Sequence, residues 1–450
     1  MAPQNPAREA TSPQDLAEAV RALGRATVLV VGDAMVDRYV FGHVARVSPE
    51  APVPVLSVER EVALPGGAGN VVRNLTALGS AVAFVSVVGD DAAGSDLTGL
   101  IGGQPRVEPW LLVQGGRLTT VKTRFLAAGQ HLLRTDYEQA APIHPRLADR
   151  MVKIASDAVA ATTVLVLSDY GKGVLAGDIP QRLIEAARRA GRRVVVDPKG
   201  GGDLARFRGA DLLILEREEL PGAARDEAGV AAAARELLEA LELGAVLVPR
   251  GAEGLTLARP DGALHFRAEA SEVHDPAGGG DAVVGVVSAA LAAGLSLDAA
   301  ARLAALALGI VSRKSGIALV RADELLEGLT PGRGAARKLV SLPLAVEVAE
   351  RWRHRGWRIG FLQAADPCPS ALTEQARRWC DRLMVGVASE GEAAILLAER
   401  PEVDLIAVGE GWNEDALRLL RPDLVVAAAA DDALARLLGE WGGEVRPAAP

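Results

Sequence analysis

The chain has 450 residues, room for two domains. Its formal charge of −9 argues against a nucleic-acid binder, which would carry a basic surplus, and its two cysteines are too few for a disulfide framework. With 49% hydrophobic residues a sizeable core is available, and the opening residues lack the apolar stretch of a secretory signal, so a cytoplasmic protein with no membrane partner is expected.

Residues 1–24 read as an N-terminal extension. From Thr27 onward, short valine-rich runs each close on a polar or glycine residue: 27–33, 81–90, 162–171, 192–198, 211–216 and 245–251. Helical patterns separate most of them. Continuous apolar strands alternating with helices predict a parallel sheet covered on both faces. Such sheets bind ligands at the carboxyl ends of their strands. The residues that close the runs, Asp33, Asp90, Asp169, Asp197 and Glu216, are therefore candidate site residues, each with a helix cap or turn as its plainer alternative.

Residues 39–64 and 117–138 have a different texture, with short alternating stretches that predict a small antiparallel excursion forming a β lid over the carboxyl edge. Ala282–Leu297 is the most apolar segment. It is rich in alanine and glycine, and Asp298 and Arg302 follow at once, so it predicts buried helices and not a membrane span. After a linker at 331–341 the β/α alternation restarts, predicting a smaller Rossmann-like α/β domain over 342–445.

The stretch HDPAGGGDAVVG (274–285) runs from a glycine-rich loop straight into an apolar helix. A helix start carries unpaired N–H groups and about half a positive charge. Gly278, Gly279 and Gly280 would let an anion approach that backbone closely. Asp281, in the first turn, would sit beside it as a cap or as a general base. Alone, the motif reads first as a turn with an N-cap.

With its context, the sequence resembles the ribokinase-like carbohydrate kinases, whose Gly-Ala-Gly-Asp loop supplies an anion hole and a catalytic aspartate. DPAGGGD (275–281) matches that loop, PGGAGNVVRNLTALGS (65–80) the family's Gly-Gly and Asn motif, and GDAMVD (32–37) its first strand end. Residues 32–55, 122–136, 167–175 and 194–200 are similar to one subgroup, the D-glycero-D-manno-heptose-7-phosphate kinases. The resemblance covers about 25–328 and implies a ribokinase-like kinase domain over 25–330.

What this implies is ATP- and Mg²⁺-dependent phosphorylation of the anomeric hydroxyl of a heptose 7-phosphate, giving the 1,7-bisphosphate for ADP-heptose and lipopolysaccharide core supply. Asp281 would be the base and Gly278–Gly280 the anion hole. Asp33, Asp37, Gly66, Gly67 and Asn70 would contact the sugar, with Asp169 beside them. Lys122, Arg124, Arg134 and Lys172 would grip its phosphate. Lys199, Glu216, Arg250, Gly251 and Gly254 would lie on the nucleotide side, and Glu219 near the metal. A homodimer is expected. Two positions depart from the family pattern: Glu216 stands where an Asn is usual, and Pro249 where a Thr is usual.

The tail resembles the adenylyltransferase fused to many of these kinases, but its chemistry is missing. No histidine follows His354, so the His-x-Gly-His motif is absent, and ADPCPS (365–370) stands in its place. The tail is expected to keep a fold without transferase activity. A bifunctional enzyme, a kinase for another phosphosugar and a non-catalytic scaffold remain as alternatives. No P-loop is present, GGAGN lacks the buried strand a dinucleotide fingerprint needs, and Cys368 and Cys380 have no histidine near them in sequence to build a zinc site.

Overall fold

A computed structural model describes residues 12–127, 130–199, 202–220, 222, 226–268, 278–312, 314, 319–329, 338–354, 357–364, 368–409, 412–427 and 432–447. The chain divides into two compact units, residues 1–326 and 327–450.

The first unit is built on the strands β1 (Thr27–Gly32), β2 (Ala34–Val47), β3 (Pro54–Gly67), β4 (Ala81–Gly89), β5 (Val107–Gln114), β6 (Val121–Ala127), β7 (Gln130–Tyr137), β8 (Val164–Asp169), β9 (Arg193–Pro198), β10 (Leu212–Ile214), β11 (Ala245–Pro249), β12 (Leu255–Arg259) and β13 (Gly262–Phe266). Nine of them form one sheet in the order β13-β12-β11-β10-β9-β8-β1-β4-β5. Strands β5 through β11 in that order run parallel, and the β12–β13 hairpin adds an antiparallel edge. All six valine-rich runs lie in this sheet. Their residues are buried on both faces, which is why they read as continuous apolar stretches.

The edge strand β5 carries Pro109 and an exposed Trp110. An edge position tolerates the missing N–H. The segment 39–64 forms the long β2–β3 hairpin, and 117–138 supplies β6 and β7. These make a four-stranded lid in the order β3-β2-β6-β7. Within it β2 and β6 pair in parallel, so the lid is mixed and not purely antiparallel. The apolar segment at 282–297 becomes two packed helices, Gly279–Ala292 and Leu297–Val311, almost wholly buried. Among the described residues no helix is long and apolar enough to cross a membrane.

The second unit holds a six-stranded sheet with all pairings parallel. Its strands are β14 (Leu339–Ser341), β15 (Ile359–Gln363), β16 (Arg382–Val387), β17 (Leu405–Val408), β18 (Leu424–Ala427) and β19 (Glu444–Pro447), in the order β14-β17-β16-β15-β18-β19. Both outer strands were absent from the sequence reading. β14 lies inside the segment expected to be a linker, where it pairs with β17.

Candidate active site

The polar centre of the first unit forms where β1, β8 and β9 end, under the lid. The Gly279–Ala292 helix starts there. Its N-cap, Gly278, has φ +84°, a left-handed conformation that favours glycine. Residues 275–277 of the motif lie outside the described residues. A Cβ on Gly280 would overlap Glu216 Oε1 and stand 2.6 Å from Lys199 Nζ, so the missing side chain lets a charged pair reach the helix start.

Asp281 in the first turn is only 7% exposed. Asn70 Nδ2 donates to its Oδ2 at 2.7 Å, and the Tyr170 hydroxyl donates to its Oδ1 at 2.6 Å. Burial raises its pKa above the usual carboxylate value, opposed by Lys199 and the two hydrogen bonds and assisted by Asp37. Asn70 lies on the Ala68–Ala77 helix, and Arg73 Nη1 donates to its Oδ1 at 2.9 Å. That contact fixes the amide so that its NH₂ faces Asp281. Burial lowers the pKa of Arg73.

On the sugar side of the expected site, Asp37 is buried and pairs with Arg124. Gly66 stands across from Met35 on the paired strand, and a Cβ there would overlap Asp37 Oδ2. Gly67 is the N-cap of the Ala68–Ala77 helix with φ +58°. Arg124 on β6 stands directly across from Arg134 on β7, so the two share a lid face. Lys122 Nζ lies 2.9 Å from Asp136 and 3.3 Å from Glu138, Arg134 Nε lies 2.9 Å from Asp136, and Lys172 Nζ lies 2.9 Å from Glu138. Lys122, Arg134 and Lys172 thus form one ion-pair chain with Asp136 and Glu138, two carboxylates that the sequence reading did not single out, while Arg124 pairs with Asp37.

On the nucleotide side, Lys199 Nζ donates to Glu216 Oε1 at 2.8 Å and lies 3.5 Å from Asp197 Oδ1. The carboxylates of Asp197, Glu216 and Asp281 hold the lysine charged despite burial, well above its ordinary pKa. Asp197 is fully buried and pushed up to about 7, first by burial and then by the charges of Asp281, Glu216 and Glu219. Its Oδ1 accepts no hydrogen bond. Glu219 Oε2 accepts from the Glu216 N–H at 2.9 Å, and burial raises its pKa. Among the described residues no cluster of three or more His, Cys, Asp or Glu is arranged to hold a metal.

Two of the expected sugar contacts are engaged elsewhere in this structure. Asp33 is 1% exposed. Its Oδ2 accepts from the N–H groups of Tyr170 and Lys172 at 2.9 and 3.0 Å, and its Oδ1 from that of Val174 at 3.0 Å. Asp169 is turned away as well: it accepts from Gly171 N–H at 2.8 Å and pairs with Arg206 at 2.7 Å. Those two side chains line a separate cavity of about 170 Å³. Both aspartates serve the 170–174 loop. Arg250 is also committed elsewhere, with Glu227 at 2.8 Å and Glu253 at 3.0 Å, in a turn framed by Gly251 and Gly254 after Pro249.

The glycine start, Asp281, Asn70, the Asp37–Arg124 pair and the Lys199–Glu216 pair therefore converge. The family model described as pfkB family carbohydrate kinase matches residues 25–322, which contain all of them. The chain belongs to the pfkB family of carbohydrate kinases.

Curated relatives extend the match beyond the pfkB part. The chain is 51% identical over 460 residues to Bifunctional protein HldE of Acidiphilium cryptum, covering 96% of this chain and 94% of that protein. It is 43% identical over 466 residues to Bifunctional protein HldE of Paramagnetospirillum magneticum, with the same coverage. Among solved structures it resembles Arabidopsis thaliana ribokinase complexed with ribose and ATP, with TM-score 0.54 and 19% identity over 68% of this chain and 99% of that one. It also resembles Escherichia coli phosphofructokinase-2 in complex with fructose-6-phosphate, with TM-score 0.54 and 20% identity over 68% and 98%. The first unit thus has the ribokinase-like fold of the pfkB kinases, and the second adds an α/β sheet.

Of the candidate site, Tyr170 and Arg73 escaped the sequence reading. Tyr170 follows a strand end that was singled out, and Arg73 lies one turn beyond Asn70, so strand-end and helical spacing were the available signals.

Proposed function

We propose that the first unit transfers the γ-phosphoryl group of ATP to the anomeric hydroxyl of D-glycero-D-manno-heptose 7-phosphate, giving the 1,7-bisphosphate. The observation that carries this reading is the Asp281 carboxylate, buried at a glycine-opened helix start and held through both oxygens. Phosphoryl transfer needs an acceptor for the nucleophile's proton and donors for the charge on the transferred group. Asp281 takes the proton from the sugar hydroxyl. The backbone N–H groups of the first helical turn, with Lys199 beside them, face the transferred oxygens.

The heptose phosphate rests on the resemblance of residues 32–55, 122–136, 167–175 and 194–200 to the heptose-7-phosphate kinases, and is supported by the lid cations Lys122, Arg124 and Arg134 and by Lys172 on the 170–174 loop. To receive a sugar phosphate, Lys122 and Lys172 exchange Asp136 and Glu138 for phosphate oxygens. ATP is the expected donor for this family. Mg²⁺ usually takes one or two protein carboxylates and keeps waters and phosphate oxygens as its other ligands. The buried Oδ1 of Asp197, which accepts no hydrogen bond among the described residues and has Lys199 Nζ at 3.5 Å, has acceptor capacity left for that need, with Glu219 acting on it through its charge. These two would hold the ion, which supplies neutralisation of phosphate charge.

For residues 327–450 we propose a retained fold without nucleotidyl transfer. No histidine follows His354. The matched relatives, named bifunctional, run through this unit too, which favours a second reading in which transfer persists. The test is purified full-length protein with ATP, Mg²⁺ and heptose 7-phosphate, followed by product identification, and a parallel reaction with heptose 1-phosphate. The expected products are the 1,7-bisphosphate and ADP in the first and no ADP-heptose in the second. ADP-heptose in the second establishes the bifunctional reading, and absence of transfer in the first removes the kinase reading.

A further inference from the structure

The three amide donors that fill Asp33 raise a question: why does a loop of five residues need two buried carboxylates to hold it? Asp33 takes the N–H groups of Tyr170, Lys172 and Val174, and Asp169 takes that of Gly171. The loop is also packed closely. Gly173 has φ +100°, and a Cβ there would overlap the Ala141 carbonyl. Its backbone is therefore fixed from within and from both sides. What it presents to the site is the Tyr170 side chain, whose hydroxyl reaches Asp281 Oδ1 at 2.6 Å.

We propose that Tyr170 is a positioning residue for the base, fixing the Asp281 carboxylate so that one remaining lone pair faces the sugar hydroxyl. This rests on the reading of Asp281 as general base. A carboxylate offers about four acceptor sites on two oxygens. With only Asn70 on Oδ2, rotation about the Cβ–Cγ bond would swing the other oxygen freely. A second donor on Oδ1, carried by a different element, removes that rotation. A neutral tyrosine suits the task because it donates without adding charge. Burial and the Asp281 carboxylate push its own pKa well above the ordinary value, so it keeps its proton at any working pH. The same bond favours the ionised form of Asp281, which burial disfavours. The other charged groups that bear on Asp281 are Asp37 at the lid, Arg73 on the Ala68–Ala77 helix, and Asp197 and Lys199 at the end of β9. None of them changes in the test below.

The experiment is Tyr170→Phe in the full-length chain, with the pH profile of kcat/KM for the sugar as the readout. Loss of a donor to the charged form moves the acid limb of the profile to higher pH by about one unit and lowers kcat about tenfold. KM for the sugar and the melting temperature stay close to those of the unaltered protein. Incorporation of 3,5-difluorotyrosine at 170, a stronger donor of nearly the same shape, moves the limb the other way. A limb that stays put in both variants, while Asp281→Asn is inactive, overturns the role of Tyr170 and leaves the base intact. Near-normal turnover in Asp281→Asn overturns the base reading itself.

Discussion

Both units are built on parallel sheets, and their carboxyl edges differ sharply. In the first, strands end in Asp33, Asp169 and Asp197, with Glu216, Lys199 and Asp281 close by, and most of these groups are buried against one another. In the second, the corresponding edge opens into cavities of about 620 and 670 Å³ whose linings are mostly apolar, with Phe361 and Trp412 in one of them. Trp412 Nε1 donates to the Val387 carbonyl at 3.1 Å, its ring lies 5.1 Å from that of Phe361, and a Cβ on Gly386 would meet the indole at 2.6 Å. A strand order that favours ligand binding at one edge does not by itself supply chemistry. The charged groups placed there do.

The largest effect that sharpens this contrast is expected at Lys199. Its ammonium offsets three carboxylates, those of Asp197, Glu216 and Asp281. Lys199→Met leaves buried charge unpaired, which costs about 3–5 kcal/mol of stability, and lowers kcat at least about 10²-fold. Denaturant melts and steady-state rates check both. In the second unit, Trp412→Ala should cost about 2–3 kcal/mol of that unit's stability and leave sugar phosphorylation unchanged. A kinase rate that falls with it would break the separation of roles.

The sheet of the first unit was legible because strands buried on both faces leave uninterrupted valine runs. Strand β5 was not, since Pro109 and its exposed side chains dilute the pattern at an edge. The parallel pairing of β2 with β6 left no trace either, because periodicity reports which face is buried and not which strand lies alongside. In the site, Asp281 and its glycines were legible as a local motif. The bond from Tyr170 spans 111 positions in sequence and carries no spacing signal. Asp33 and Asp169 were correctly found at strand ends, but whether a carboxylate faces a ligand or the next loop depends on where the backbone turns after the strand.

The smallest expected effect lies at Asp169. Burial, and next the charge of Asp33, push its pKa up to about 6. The folded state therefore keeps a proton that the unfolded chain releases near pH 4, and stability falls as pH rises from about 4 to about 6. Asp169→Asn, which cannot ionise, should flatten that fall, by on the order of 1 kcal/mol, in melting curves taken across the window. An unchanged slope would assign the proton to another group.

The central claim is that Asp281 acts as the base at the helix start, and Asp281→Asn tests it most directly when turnover and heptose 7-phosphate binding are measured on the same preparation. The amide keeps the shape of the side chain and cannot take the sugar's proton. A fall in kcat of at least about 10²-fold with sugar affinity within a few-fold of the unaltered protein is the predicted result. Turnover close to that of the unaltered protein would contradict it.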